Sequence, residues 1–128
     1  MQPDFAKSPD GLLPAICQDA DSGTVLMLAY MNRQAWEETL RLQRGVYFSR
    51  SRNKLWYKGD ESGAIQELVE ARLDCDADAI LLKVRQKKGA ACHTGRISCF
   101  FHRIGADGSS LIDSEPVFDP DQVYRKGQ

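Results

Sequence analysis

The sequence predicts a mostly β protein, α+β at the margin, in the form of an antiparallel pseudo-barrel of short strands capped by one helix. Short apolar runs recur between turns rich in Gly, Asp and Ser, and a single segment carries its apolar residues at helical spacing. At 128 residues and 42% hydrophobic composition, the chain fits a single domain, 1–128, with room for a core.

Leu12 to Cys17 and Thr24 to Tyr30 read as two strands joined by the turn QDADSG. Met27, Tyr30 and Met31 are expected in the core. Asn32 suits the cap of a helix over Arg33 to Leu42, with Ala35, Trp36, Thr39, Leu40 and Gln43 at helical spacing and Gly45 ending it. Val46 to Ser49 and Lys54 to Lys58 follow as strands around SRSRN. Gly59 to Gly63 is a turn, and Ala64 to Leu73 a strand with Ile65, Val69 and Leu73 along one face, although QELVEAR also contains good helix formers. Ala79 to Arg85 and Arg96 to Ile104 complete the strands. In the last of these Ile97, Cys99 and Phe101 share a face, while His102 points away and is expected to be structural. Beyond Ile104, GADGSS, Pro116 and Pro120 indicate an irregular tail over 106–128.

A formal net charge of −1 argues against general nucleic-acid binding, because no basic excess is available to hold a phosphate backbone. The start, MQPDFAKSPDG, lacks the charged and apolar regions of a signal peptide, and Val25 to Met31 is too short for a membrane span. A cytoplasmic protein without membrane contacts is expected. Thiols stay reduced there, so the four cysteines are metal ligands or core residues before they are disulfides. Cys17, remote from the others in an apolar segment, is expected in the core.

The densest chemistry lies in DCDADAILLKVRQKKGAACHTGRISCFF, residues 74–101. If residues 74–78 are extended, Asp74, Asp76 and Asp78 share one face and Cys75 takes the other. Carboxylates suit Mg²⁺ and thiolates suit Zn²⁺, so two separate metal sites are expected. Gly95 can take the positive φ that lets the chain double back and bring Cys92 and Cys99 to one metal. Cys75 is the obvious third donor. Three thiolates would leave an open fourth position, the layout of a catalytic zinc, whereas His93 as a fourth ligand would close the site and make it structural. No C-x-x-C pair supports a zinc finger.

Arg50, Arg52, Lys54 and Lys58 bring four cations into nine residues, with Ser49 and Ser51 adding hydroxyls. Arginine forks match phosphate oxygens, so the segment can clamp phosphate, though such turns are usually only solvated. Trp56 is either a core residue or a platform for a purine.

SRSRNKLWYKG at 49–59, SG at 62–63, DCDADA at 74–79 and CHTGRISCF at 92–100 together resemble phosphoribosyl-AMP cyclohydrolases of histidine biosynthesis, over about residues 11–105. The resemblance implies hydrolysis of N1-(5-phosphoribosyl)-AMP, opening its adenine ring between N1 and C6 to a formimino-aminoimidazole-carboxamide ribotide. It also implies an intertwined homodimer with active sites at the subunit interface, where Cys75 joins Cys92 and Cys99 of the other subunit around one Zn²⁺ per subunit. Mg²⁺ would then lie at Asp74, Asp76 and Asp78. The substrate's two phosphates give Ser49, Arg50, Ser51, Arg52 and Lys58 a role, with Trp56 available to the purine. His93 is expected as the catalytic base, the role histidine side chains commonly take in proton transfer. Two departures bear on loops: 86–92 is one residue longer than usual, and Glu61 stands where threonine is common. The residues after the matching block are too few for a second domain, so a monofunctional enzyme is expected. A zinc deaminase would instead show H-x-E and P-C-x-x-C, which are absent.

Overall fold

A computed structural model describes residues 1–124 of the chain; residues 125–128, the end of the tail expected to be irregular, lie outside the described residues. The elements in order are β1 (Leu13–Asp19), β2 (Val25–Met31), α1 (Arg33–Leu42), β3 (Val46–Ser49), β4 (Lys54–Tyr57), β5 (Gln66–Leu73), β6 (Ile80–Gln86), β7 (His102–Ile104), β8 (Ser110–Ile112) and α2 (Pro120–Tyr124). Strands dominate, as expected. They form a four-stranded sheet in the order β2-β1-β6-β5 and two separate hairpins, β3-β4 and β7-β8.

None of these sheets closes on itself, so this chain alone is an open sheet with hairpins and not a closed barrel. Nor is every pairing antiparallel. β1 runs antiparallel to β2 but parallel to β6, with Ala15 opposite Ile80 and Asp19 opposite Val84. A parallel neighbour needs a long crossover, and here α1, the β3-β4 hairpin and β5 supply it.

Period-2 patterning is clean at the centre of the sheet. Leu13, Ala15 and Cys17 of β1 and Ile80, Leu82 and Val84 of β6 point into the core and are all essentially buried. Met27 and Met31 join them, while Tyr30 is half-buried under the Arg50 guanidinium, which stacks 4.0 Å from its ring centroid. In α1 the Asn32 side chain accepts from Ala35 N at 2.8 Å, and the helix ends at Gln43, whose φ of 56° makes it the left-handed residue expected of Gly45. Gly45 answers a different need, since a Cβ there would meet Gln66 Oε1 at 2.4 Å. Ala35, Trp36 and Thr39 face inward, and Thr39 Oγ1 both donates to Val46 O (3.0 Å) and accepts from Val46 N (3.1 Å), fastening α1 to β3. Leu40 stays exposed.

β5 carries a bulge between Leu68 and Glu70 that turns Val69 outward, so Leu68, Ala71 and Leu73 pack on the core in place of Ile65, Val69 and Leu73. As an edge strand it presents charges, with Glu67 paired to Lys87 (2.8 Å) and Glu70 within 3.8 Å of Lys83. Arg96 to Phe101 is irregular and only β7 remains of the strand expected to Ile104, whereas the tail contains β8 and a short helix. The reason is visible at Cys99 and Ser98: Cys99 N donates to Leu26 O (2.7 Å) and Ser98 Oγ to Val25 O (2.7 Å), so the segment is tied to β2 at isolated points instead of a ladder.

Candidate active site

Residues 74–78 form a turn and not an extended segment. Asp74 Oδ1 accepts from Asp78 N (3.0 Å) and Ala79 N (3.2 Å), Ala77 N donates to Asp74 O (3.2 Å), and Ala77 takes a φ of 64°. The turn nonetheless brings Asp74, Asp76 and Asp78 together, with one carboxylate oxygen of each within 4.8 Å of the others. Hydrogen bonding with Asp76 raises the Asp78 pKa, and the same contact lowers that of Asp76. Lys7 lies 3.5 Å from Asp76. A hard divalent cation fits three such oxygens. Cys75 is exposed in the same turn, and among the described residues no cluster within this chain joins it to Cys92 and Cys99.

Those two cysteines meet through a tight loop. Ala91 N donates to Ile97 O (3.0 Å), Cys92 N to Arg96 O (3.1 Å) and Gly95 N to Cys92 O (2.9 Å), with Gly95 at a φ of +85°. A Cβ at Gly95 would sit 2.4 Å from Phe118 O, because residues 114–118 run across the loop: Val117 N donates to Gly95 O (2.8 Å) and Arg96 Nε to Ser114 O (3.0 Å). Cys92 Sγ accepts from Thr94 Oγ1 at 3.1 Å. Cys99 is exposed as a residue, and desolvation, with the adjacent Cys92 adding to it, pushes its thiol up to about 12. Two converging soft donors in a solvent-reached loop suit a thiophilic divalent ion, which would need a further donor from outside this set.

Cys99 and His93 open onto a cleft of about 720 Å³ whose lining also includes Ser49, Ser51, Arg52, Trp56 and Lys58. His93 is exposed at the loop tip and makes no side-chain hydrogen bond among the described residues. Ser49 Oγ lies 3.4 Å from Ser51 Oγ and accepts from Arg52 N (3.3 Å), and Asn53 turns the chain with a φ of 53°. Arg50 is the exception. It leaves this group for the face of Tyr30, next to a second hollow lined by Lys7, Pro14, Tyr30 and Asp78. Trp56 is 38% exposed, one side against Tyr47 at a centroid distance of 5.6 Å and the other at the cleft, so it is a cleft wall and not a core residue.

Beneath it the Tyr47 hydroxyl donates to Gln66 Oε1 (2.6 Å), and Gln66 Nε2 donates to Gln86 Oε1 (3.0 Å), a buried polar chain under the cleft. Sequence patterning overlooked this chain, since glutamine within a strand signals nothing. It also left out Asp60, Glu61 and Ser62 as cleft residues, although Glu61 is marked by its departure from the family. Cys17 is buried as expected, and desolvation pushes its thiol up to about 11, with Tyr47 and Lys58 acting against that rise.

Residues 27–101, which contain the cleft, the aspartate turn and the cysteine loop, match the family model for phosphoribosyl-AMP cyclohydrolase. The chain belongs to the phosphoribosyl-AMP cyclohydrolase family. It is 60% identical over 120 residues to the phosphoribosyl-AMP cyclohydrolase of Thiobacillus denitrificans, covering 91% of this chain and 90% of the relative. It is 56% identical over 123 residues to that of Desulfatibacillum aliphaticivorans (96% and 97%), and 50% identical over 128 residues to that of Thioalkalivibrio sulfidiphilus (97% and 97%). Family membership makes the chain an enzyme, a hydrolase of histidine biosynthesis. No helix among its described residues is long and apolar enough to cross a membrane.

Proposed function

We propose that this chain is a zinc-dependent, single-domain cytoplasmic hydrolase that opens the adenine ring of N1-(5-phosphoribosyl)-AMP between N1 and C6. The observation that carries the reading is the shared cleft, where Cys99, His93, Trp56 and Arg52 line one hollow with Cys92 beside Cys99. Cys92 and Cys99 would hold zinc together with Cys75 of the partner subunit. Asp74, Asp76 and Asp78 would hold Mg²⁺, whose charge suits a substrate phosphate.

Two facts support a homodimer. This chain brings only two of the three thiols together, and its cysteine-bearing C-terminal third leaves Phe100, Ile104, Leu111 and Ile112 each more than half exposed. A second copy supplies both the missing donor and the cover.

A zinc ion contributes acidification of water toward a pKa of ~7, which hydrolysis at neutral pH requires. The remaining work falls to side chains. Trp56 offers an exposed ring for the purine. Arg52, Ser49 and Ser51 supply donors to one phosphate from the 49–53 turn, while Arg50, turned toward Tyr30, serves the other side of that turn. His93 takes a proton from the water that adds to C6. As the C6–N1 bond of the amidinium substrate breaks, its electron pair goes to N1 and His93 returns the proton there, while the added hydroxyl releases its remaining proton to solvent and becomes the carboxamide oxygen on C6, leaving the formimino group on the opened side.

The test is the ultraviolet change on ring opening of phosphoribosyl-AMP, followed with zinc-loaded protein and after chelation. Turnover that needs zinc supports the reading, and equal turnover after complete zinc removal would overturn it.

A further inference from the structure

The buried polar chain under the cleft does not stop at Gln86. Gln86 Nε2 donates onward to two main-chain carbonyls, Ala64 O (2.8 Å) and Lys87 O (3.2 Å), while its Oε1 accepts from Gln66 Nε2 (3.0 Å). The other amide hydrogen of Gln66 goes to Met27 Sδ at 3.3 Å, and its Oε1 takes the Tyr47 hydroxyl at 2.6 Å. Gln66 and Tyr47 are completely buried, so solvent does not reach their polar atoms. Each amide uses both hydrogens and its oxygen, which leaves the pair a single orientation.

The outer ends of this pair lie on four separate parts of the site. Tyr47 packs its ring 5.6 Å from Trp56, the cleft wall. Met27 lines the cleft itself, and Leu26 O, one residue back, holds Cys99 N at 2.7 Å. Ala64 follows the tight loop that Gly63 N closes onto Gly59 O (2.7 Å), and residues 59–62 of that loop form the rim. Lys87 opens the connection to Cys92, where Ala90, Ala91 and Cys92 are buried and leave the stem of the cysteine loop no room to absorb a shift. Neither glutamine lines the cleft, so the pair acts through these neighbours and not on substrate. We propose that the Gln66–Gln86 pair is a positioning element for ring opening, holding the cleft rim and the cysteine loop at a fixed separation from Trp56 so that a purine against that ring is aligned with His93 and the Cys92–Cys99 pair. This rests on the phosphoribosyl-AMP reading of the cleft.

Gln86→Met keeps the length of the side chain and removes its donor and its acceptor. In zinc-saturated full-length protein assayed well below its melting temperature, kcat for phosphoribosyl-AMP should fall by roughly 10²-fold, the scale of a misplacement of about 1 Å, with KM within about threefold of wild type and zinc content unchanged. A merely structural glutamine would lower Tm and leave kcat at that temperature as it was, and that result would overturn the proposal. Tyr47→Phe, which releases the far end of the chain, should lower kcat in the same sense, and the double variant should lose less than the product of the two single losses because both act through one network. Losses that simply multiply would mean two independent effects and would also overturn it. Gln86→Glu, which keeps the shape and the acceptor but removes the donor facing Ala64 O and Lys87 O, repeats the measurements if the methionine variant fails to fold. Absence of turnover by zinc-saturated wild-type protein would instead overturn the functional reading itself, and this proposal with it.

Discussion

Gly95→Ala isolates the link between the C-terminal segment and the cysteine loop. Gly95 holds a φ of +85°, where an added Cβ costs ~1–2 kcal/mol, and that Cβ would stand 2.4 Å from Phe118 O. The contact is with main chain, so residues 116–118 must move, breaking the Val117 N to Gly95 O bond, worth ~0.5–1.5 kcal/mol. Together these come to about 1.5–3.5 kcal/mol. A chain of this size loses ~3–5 °C of Tm per kcal/mol, so a fall of roughly 5–17 °C is expected by circular dichroism. The fall is capped by the docking energy of 114–118, because that segment can swing away and leave the sheet intact. Limited proteolysis should then cut within 114–118 faster than in wild type, and zinc should be held more weakly. A change in Tm under 2 °C with proteolysis and zinc affinity unchanged would refute the reasoning.

Other expectations concern single groups. Tyr47→Phe leaves Gln66 Oε1 without its 2.6 Å donor in a fully buried position and should cost ~1–3 kcal/mol in a denaturant titration; no loss would mean that Gln66 finds another donor. His93→Ala should keep its zinc and lose roughly 10²- to 10⁴-fold in turnover, and zinc released in step with activity would make His93 a ligand and not a base. Mixing inactive Cys75→Ser with inactive Cys92→Ser protein under exchange should recover part of the activity, since a shared site leaves one intact centre in each heterodimer. Full zinc occupancy in a demonstrated monomer would rule the shared site out.

Local patterns were legible and non-local ones were not. Asn32 announced α1, and the alternation of Leu13, Ala15 and Cys17 announced the buried face of β1, because both signals lie within a few residues. The aspartate segment misled for a physical reason: the Asp74 carboxylate captures the amides of Asp78 and Ala79, and that local bonding displaces the extended form assumed from spacing. The aspartates converge all the same, by a turn where a pleat was expected. The cationic run from Arg50 to Lys58 concealed three different fates, since Arg52 lines the cleft mouth, Arg50 covers Tyr30 and Lys58 is buried. Charge alone cannot tell them apart. Closure of the sheets was equally hidden, because strand count carries no information on which edges meet.

The parallel pairing of β1 with β6 has a consequence for how the chain is made. β2 follows β1 directly and can pair with it while synthesis continues, but β6 emerges only after α1, β3, β4 and β5. At ~5–20 residues per second, the inner edge of β1 waits for roughly three to thirteen seconds. During that interval Ala15 and Cys17 lack their β6 neighbours, and an open strand edge invites pairing with another nascent chain. β5 and β6 are joined by the aspartate turn and can arrive as one preformed hairpin. The residues proposed to hold Mg²⁺ therefore also set how quickly that edge is covered, and substitutions there bear on the yield of folded protein as well as on its chemistry.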